Sequence, residues 1–297
     1  MKYLIVVLIA ISVFSCQPVE KEKKEINIDL QGHRGARGLM PENTIPAFMK
    51  ALEFSKVTTL ELDLAVTKDQ QLVVSHEPWF NPVICSDSLN NQLSEEEKIS
   101  IYQLTYEQIS TFDCGSRGNP RFPEQQKMKV AKPLLSEVIK EVSKTLKEQN
   151  RPAIQYNIEI KSQPELDSIF TPSPEDFSDL VYNFIKVNMN IDQVTVQSFD
   201  FRVLKYFNVK YPEVKLVALI ENNDGIAANL KELGFNPDVY SPYYKMLSKE
   251  SIDTLHQKNI VVTPWTVIDT TDMNQLIDWQ IDGFITDYPN LAQKILE

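Results

Sequence analysis

Two hydrophobic periods take turns along the chain. Short β-type runs at 28–33, 59–66, 153–160, 194–198, 215–220, 239–241, 260–263 and 283–286 read as strands. Amphipathic stretches at 44–54, 134–149, 175–188, 201–207, 225–233, 249–258, 272–279 and 291–296 read as helices. Asn43 is placed to cap the first helix, and Pro46 is tolerated in its first turn. Strands alternating with helices in this way predict an α/β fold, a parallel (β/α)8 TIM barrel, with a doubly wound sheet as the alternative.

One segment interrupts the alternation. Residues 77–132 are rich in Pro, Asn, Ser and charge, with one short helical pattern around 104–112. A structureless loop of that length is uncommon in a compact domain, so the segment reads as a small subdomain inserted after the second strand. On a barrel it would stand over the C-terminal face, where active sites are built.

The first 16 residues also stand apart. Lys2 precedes an apolar run from Tyr3 to Phe14, broken only by Ser12, that is too short to span a bilayer and suits a secretory leader. Val13-Phe14-Ser15-Cys16 has the form of a bacterial lipobox, which makes Cys16 the expected lipidated N-terminus. The bland alternative is a buried N-terminal helix. Residues 17–26 are polar and aperiodic, as a tether would be. The expected organisation is leader 1–16, tether 17–26 and barrel 27–297, lipid-anchored in a bacterial cell envelope, facing the periplasm or the cell surface.

Composition narrows the partners. Hydrophobic residues at 42% and charged residues at 24% belong to a globular chain, not a disordered one. A net charge of −11 argues against nucleic acid but leaves room for small phosphorylated molecules, which need only a few local cations. With Cys16 lipidated, Cys85 and Cys114 remain. An exported compartment permits a disulfide between them, and their spacing decides nothing.

Strand parity brings out the candidate chemistry, because alternate side chains share a face. In Leu60-Glu61-Leu62-Asp63-Leu64 the carboxylates share one face and the leucines the other. Asn157, Glu159 and Lys161 share a face, as do Thr195 and Gln197. A half-wet antiparallel sheet would alternate in the same way. In a parallel barrel, helices cover the outside, so inward polar positions near strand ends would line a site. Glu61, Asp63 and Glu159 would then converge. Ordinary salt bridges are one outcome; the other is one divalent cation, Ca²⁺ or Mg²⁺, which oxygen donors suit better than Zn²⁺. His33 and His76 end strands near that cluster and suit general acid–base work. His256, in a polar helical stretch, reads as solvated. The stretch from Gly32 to Gly38 carries two Arg and could offer backbone N–H groups to phosphate, although it matches no Walker or dinucleotide fingerprint.

Together the blocks resemble the glycerophosphodiester phosphodiesterase family. His33-Arg34-Gly35 with Pro41-Glu42-Asn43-Thr44 looks like that family's opening signature. Glu61-Leu62-Asp63-Leu64, Thr67-Lys68-Asp69 and Val73-Val74-Ser75-His76 look like its second. Weaker blocks lie at Asn157 to Lys161, Gln197-Ser198-Phe199, Trp265-Thr266-Val267 and Gly283 to Pro289. The resemblance implies a TIM barrel that hydrolyses glycerophosphodiesters to glycerol 3-phosphate and an alcohol. It implies Glu61, Asp63 and Glu159 as metal ligands and His33 and His76 as general acid and base. Arg34 and Lys161 would contact phosphate, Glu42 and Asn43 would shape the loop nearby, and Gln197 and Trp265 would complete the substrate site. Two positions depart from the family's pattern: Glu77 where Asp is common and Ile268 where Asn is common. Both would flank the pocket and bear on leaving-group preference. Two other readings of the same scaffold are a phospholipase acting on intact lipids and a non-catalytic headgroup-binding lipoprotein.

Overall fold

The computed structural model describes residues 27–297, so the expected leader, Cys16 and tether lie outside the described residues. The strands are β1 (Asp29–Gly32), β2 (Val57–Val66), β3 (Leu72–Val74), β4 (Gln155–Ile160), β5 (Val194–Ser198), β6 (Lys215–Ile220), β7 (Val239–Pro242), β8 (Val261–Val262) and β9 (Gly283–Thr286). The sheet runs β8-β7-β6-β5-β4-β2-β1-β9 with every neighbour parallel. Its two edges meet where Asp282 N donates to Val262 O at 3.1 Å and Ile285 N to Pro264 O at 2.9 Å. The result is the expected TIM barrel. β3 is the addition: it turns back at Gln70 and pairs antiparallel with β2, Leu64 opposite Val74.

The helices are α1 (Ile45–Leu52), α2 (Tyr106–Ile109), α3 (Leu135–Glu148), α4 (Pro174–Asn188), α5 (Phe201–Lys210), α6 (Ile226–Leu233), α7 (Lys249–His256), α8 (Thr270–Asp278) and α9 (Pro289–Leu296). Eight of them match the main sequence-predicted helices to within a few residues, and α2 falls inside the short helical pattern expected around 104–112. Leu60, Leu62 and Leu64 face outward into the main core with Phe48, Val138 and Phe177, which leaves Glu61 and Asp63 facing inward. Among the described residues no helix is long and apolar enough to cross a membrane.

The cap of α1 corrects the sequence reading. Thr44, not Asn43, is the N-cap, and its hydroxyl accepts from Ala47 N. Asn43 sits at φ 56°, where its short polar side chain is tolerated, and donates to Asp63 Oδ2 at 2.8 Å. A buried carboxylate outcompetes a helix end for that amide.

Within the segment 77–132, Phe80, Ile84, Leu93, Ile101 and Ile109 build a second hydrophobic cluster together with Ala65 of β2 and Val73 of β3. Phe80 stacks on Phe112 with centroids 3.9 Å apart. Cys85 and Cys114 form a disulfide inside it, which settles a pairing the spacing left open.

Candidate active site

The C-terminal ends of β1, β2, β4 and β5, with the segments after β3 and β8, place His33, Arg34, Glu61, His76, Glu159, Lys161, Gln197 and Trp265 around one cleft of about 750 Å³, while Asp63, Glu42 and Asn43 do not line it. Each strand brings its inward parity to the centre. β2 supplies Glu61 and Asp63, β4 supplies Glu159, and their registers align: Asp63 lies opposite Glu159 and Glu61 opposite Asn157. One oxygen from each of Glu61, Asp63 and Glu159 lies within 4.8 Å of the others, and all three residues are buried.

Burial and mutual repulsion act on that cluster unevenly. Burial pushes Glu61 well above the usual carboxylate range, and the charges of Asp63 and Glu159 push it further. Burial raises Glu159 to about 7, with Asp63 adding to the rise and Lys161 opposing it. Burial would raise Asp63 too, but Arg34 and Lys161 hold it well below its ordinary value. Lys161 Nζ lies 2.8 Å from Glu159 Oε1 and 3.3 Å from Asp63 Oδ1. Asp63 Oδ1 is buried without a hydrogen-bond donor. Three convergent carboxylates, one with an oxygen that accepts no hydrogen bond and meets only the Lys161 charge, form a donor set compatible with a hard divalent cation.

The barrel interior below the cluster is a polar network. Gln197 donates to Glu61 Oε1 at 2.7 Å and accepts from Asn157 Nδ2 at 3.0 Å. Asn157 Nδ2 also reaches Gln31 Oε1 at 2.8 Å, and Thr195 donates to Asn157 Oδ1 at 2.9 Å. Gln197 lines the cleft as expected of a substrate residue, but its amide is already committed to Glu61.

The loop after β1 does more structural work than the sequence suggested. Arg34 stands at φ 49°, and its backbone N–H, offered to phosphate in the sequence reading, donates to Glu61 Oε2 at 2.9 Å. Its guanidinium meets Glu42 Oε1 at 2.7 Å and Asp63 Oδ2 at 3.2 Å. Gly35, at φ 84°, packs so tightly that a Cβ there would come within 2.5 Å of the Ala47 carbonyl carbon in α1.

Both predicted histidines are held through Nδ1. His33 Nδ1 lies 2.6 Å from Asp287 Oδ1, and its Nε2 lies 3.9 Å from Glu61 Oε2. Burial pulls the His33 imidazole down to about 4, with Arg37 adding to the fall and Asp287 opposing it. His76 Nδ1 lies 3.1 Å from Glu77 Oε1. Burial lowers its basicity as well, reinforced by Arg34 and Lys161. In each ring Nδ1 faces a carboxylate, which leaves Nε2 as the nitrogen that can exchange a proton with substrate.

Trp265 lines the far wall, anchored by Nε1 to Ser241 O at 3.0 Å and flanked by Phe199 and Tyr243. Ile268, one of the two departures, lies on the same wall and is 45% exposed. Glu77, the other, lines a side cavity of about 210 Å³ with His76, Trp79, Leu166 and Phe199. His256 is not merely solvated: its Nε2 pairs with Asp282 Oδ2 at 2.8 Å, away from the cleft.

Sequence reasoning missed Asp287 and Arg37. Arg37 donates Nε and Nη2 to the two Asp287 oxygens at 2.8 and 2.9 Å. The available signal was position: Asp287 directly follows β9, the strand that pairs with β1 beside His33.

Known proteins resemble this chain in sequence and in fold. The model of the glycerophosphoryl diester phosphodiesterase family matches residues 33–291. A glycerophosphodiester phosphodiesterase of Bacillus subtilis is 28% identical, over 89% of this chain and 84% of its own. A protein of Silicibacter pomeroyi assigned to the glycerophosphoryl diester phosphodiesterases superposes with a TM-score of 0.80 at 25% identity, covering 91% of this chain and 93% of that one. An Oleispira antarctica phosphodiesterase, solved with the product sn-glycerol 3-phosphate, superposes with a TM-score of 0.70 at 17% identity, covering 90% and 96%, a likeness of fold. The chain belongs to the glycerophosphoryl diester phosphodiesterase family.

Proposed function

We propose that this enzyme hydrolyses glycerophosphodiesters to glycerol 3-phosphate and an alcohol, with His33 and His76 moving the protons. The observation that carries this reading is the convergence, at one cleft, of three buried carboxylates with two imidazoles and two cations. Glu61, Asp63 and Glu159 would hold one divalent cation, Ca²⁺ or Mg²⁺. When bound, such an ion supplies Lewis-acid polarisation of a phosphoryl oxygen.

The chain's own groups do the rest. Arg34 and Lys161 face the cleft and offset charge that grows on the phosphoryl oxygens. One imidazole, unprotonated at Nε2, takes a proton from the attacking water as the new P–O bond forms. The other, protonated at Nε2, gives that proton to the departing alcohol as the old P–O bond breaks. Asp287 and Glu77 each face the Nδ1 of one ring and so hold its Nε2 toward the reacting groups. Trp265 and Phe199 supply an apolar wall for the carbon part of the substrate. Outside the described residues, lipidation at Cys16 would anchor the enzyme to a bacterial envelope membrane.

The test is release of glycerol 3-phosphate from glycerophosphocholine and glycerophosphoethanolamine. The protein is stripped with EDTA and resupplied with Ca²⁺ or Mg²⁺. Metal-restored release in the wild type, abolished in Glu61→Ala and Asp63→Ala, supports the reading. A folded protein that releases none with either metal rejects it.

A further inference from the structure

Arg37 is bound on two sides. Toward the barrel it holds both oxygens of Asp287. On the other side the insert covers it: the Phe122 ring centroid lies 4.8 Å from the guanidinium carbon. Gln125 Nε2 donates to the Arg37 carbonyl at 2.8 Å, and Gln126 N donates to Leu39 O at 2.8 Å. Phe122 also meets Tyr288, the residue after Asp287, edge to face at 6.4 Å. Phe122, Gln125, Arg37, Asp287 and His33 are all buried.

The arm that carries these contacts is built to stay in place. Phe122 N donates to Asn119 O at 2.9 Å, and Gln125 N to Phe122 O at 3.0 Å. Asn119 N donates back to Gln125 Oε1 at 3.1 Å. At its base Cys114 N donates to Val130 O at 2.7 Å, and Cys114 is tied covalently to Cys85. A Cβ at Gly115 would come within 2.4 Å of Met128 O, so the base closes only on glycine.

Asp287 Oδ1 takes both His33 Nδ1, at 2.6 Å, and Arg37 Nε, at 2.8 Å. One oxygen shared by two donors fixes the carboxylate plane only while both donors stay in place. An uncovered Arg37 has a competing carboxylate to turn to, Glu42 Oε2, 3.9 Å from its Nη1. We infer that the 119–126 arm of the insert is a positioning element for His33, acting through Arg37 and Asp287. The inference rests on the reading of His33 as a proton-transfer group. It gives the insert a part in catalysis besides covering the cleft.

The experiment uses Phe122→Ala, Phe122→Tyr, Gln125→Ala and Asp287→Asn in the full chain. Glycerol 3-phosphate release from glycerophosphocholine is followed, together with the ¹H NMR signal of the His33 Nδ1 proton, assigned by its loss in His33→Asn. Outer-shell partners of a functional ligand typically matter by about 10–100-fold. Phe122→Ala is expected to lower kcat about tenfold while KM moves less than about threefold. Gln125 does not line the cleft, so its variant should lower kcat in the same sense without touching KM. Phe122→Tyr should retain kcat. Phe122→Ala with Asp287→Asn should be no slower than Asp287→Asn alone, since both act on one path. The His33 proton signal should shift or broaden in both alanine variants. Unchanged kcat and signal in both, or losses that multiply with Asp287→Asn, would overturn the inference. An inactive wild type would reject the proposed reaction instead, and the imidazole signal would still decide whether the arm reaches His33.

Discussion

Gln197 donates its Nε2 hydrogen to Glu61 Oε1 at 2.7 Å, so the amide on β5 orients a carboxylate on β2, two strands away. Its own carbonyl accepts from the buried Asn157, which fixes the direction of the amide. On the proposed reading, with Glu61 as a ligand to the cation, Gln197 would be the outer partner that aims it. Gln197→Leu is therefore expected to raise the dissociation constant for Ca²⁺ or Mg²⁺ by about 10–100-fold, measured by calorimetric titration of the EDTA-treated protein. An unchanged constant would remove Gln197 from that role. The same variant leaves Asn157 short of an acceptor and should cost about 1–3 kcal/mol in urea unfolding.

The parts of this molecule that were legible in the sequence are those that local period dictates. Leu60 to Leu64 alternate strictly, and only one face of a parallel barrel strand can meet a helix, so the inward turn of Glu61 and Asp63 followed from parity. Asn43 and Thr44 show where local reasoning stops. Both are good caps, and the choice between them rests on Asp63, 20 residues further along the chain. The partner of His33 is harder still, because Asp287 is 254 residues away and meets it only after the barrel closes. The disulfide was undecidable for the same reason: 29 residues of separation carry no geometry until the insert has folded.

Anchoring is checked at one residue. Cys16→Ser should move the protein from the membrane fraction to the soluble fraction when cells are fractionated. Unaltered membrane association would reject lipidation at that position.

The disulfide should stabilise the insert. It closes a loop with a sequence separation of 29, for which chain-entropy reasoning gives about 2–4 kcal/mol. Cys85→Ser with Cys114→Ser is expected to lower urea stability by about that amount. Dithiothreitol should lower the melting temperature of the wild type and leave that of the double variant unmoved. Equal sensitivity of the two proteins to reductant would contradict the bond.

Glu77 gives the fold an acid dependence of predictable sign. Burial alone would raise its carboxyl, but the His76 hydrogen bond and charge, with Lys132 and Arg34, pull it from 4.5 down to about 2. A carboxyl whose value falls on folding stabilises the protein above its unfolded value, and that contribution is lost as pH drops toward the folded one. The window here runs from 4.5 down to about 2, and the contribution above it is about 3 kcal/mol at most. The side chain is only 20% exposed, so solvent screening removes little of it. Urea unfolding of the wild type and of Glu77→Gln should differ most at pH 6, and the difference should shrink by pH 3. A gap that stays constant across that range would show that Glu77 is not held ionised by its neighbours.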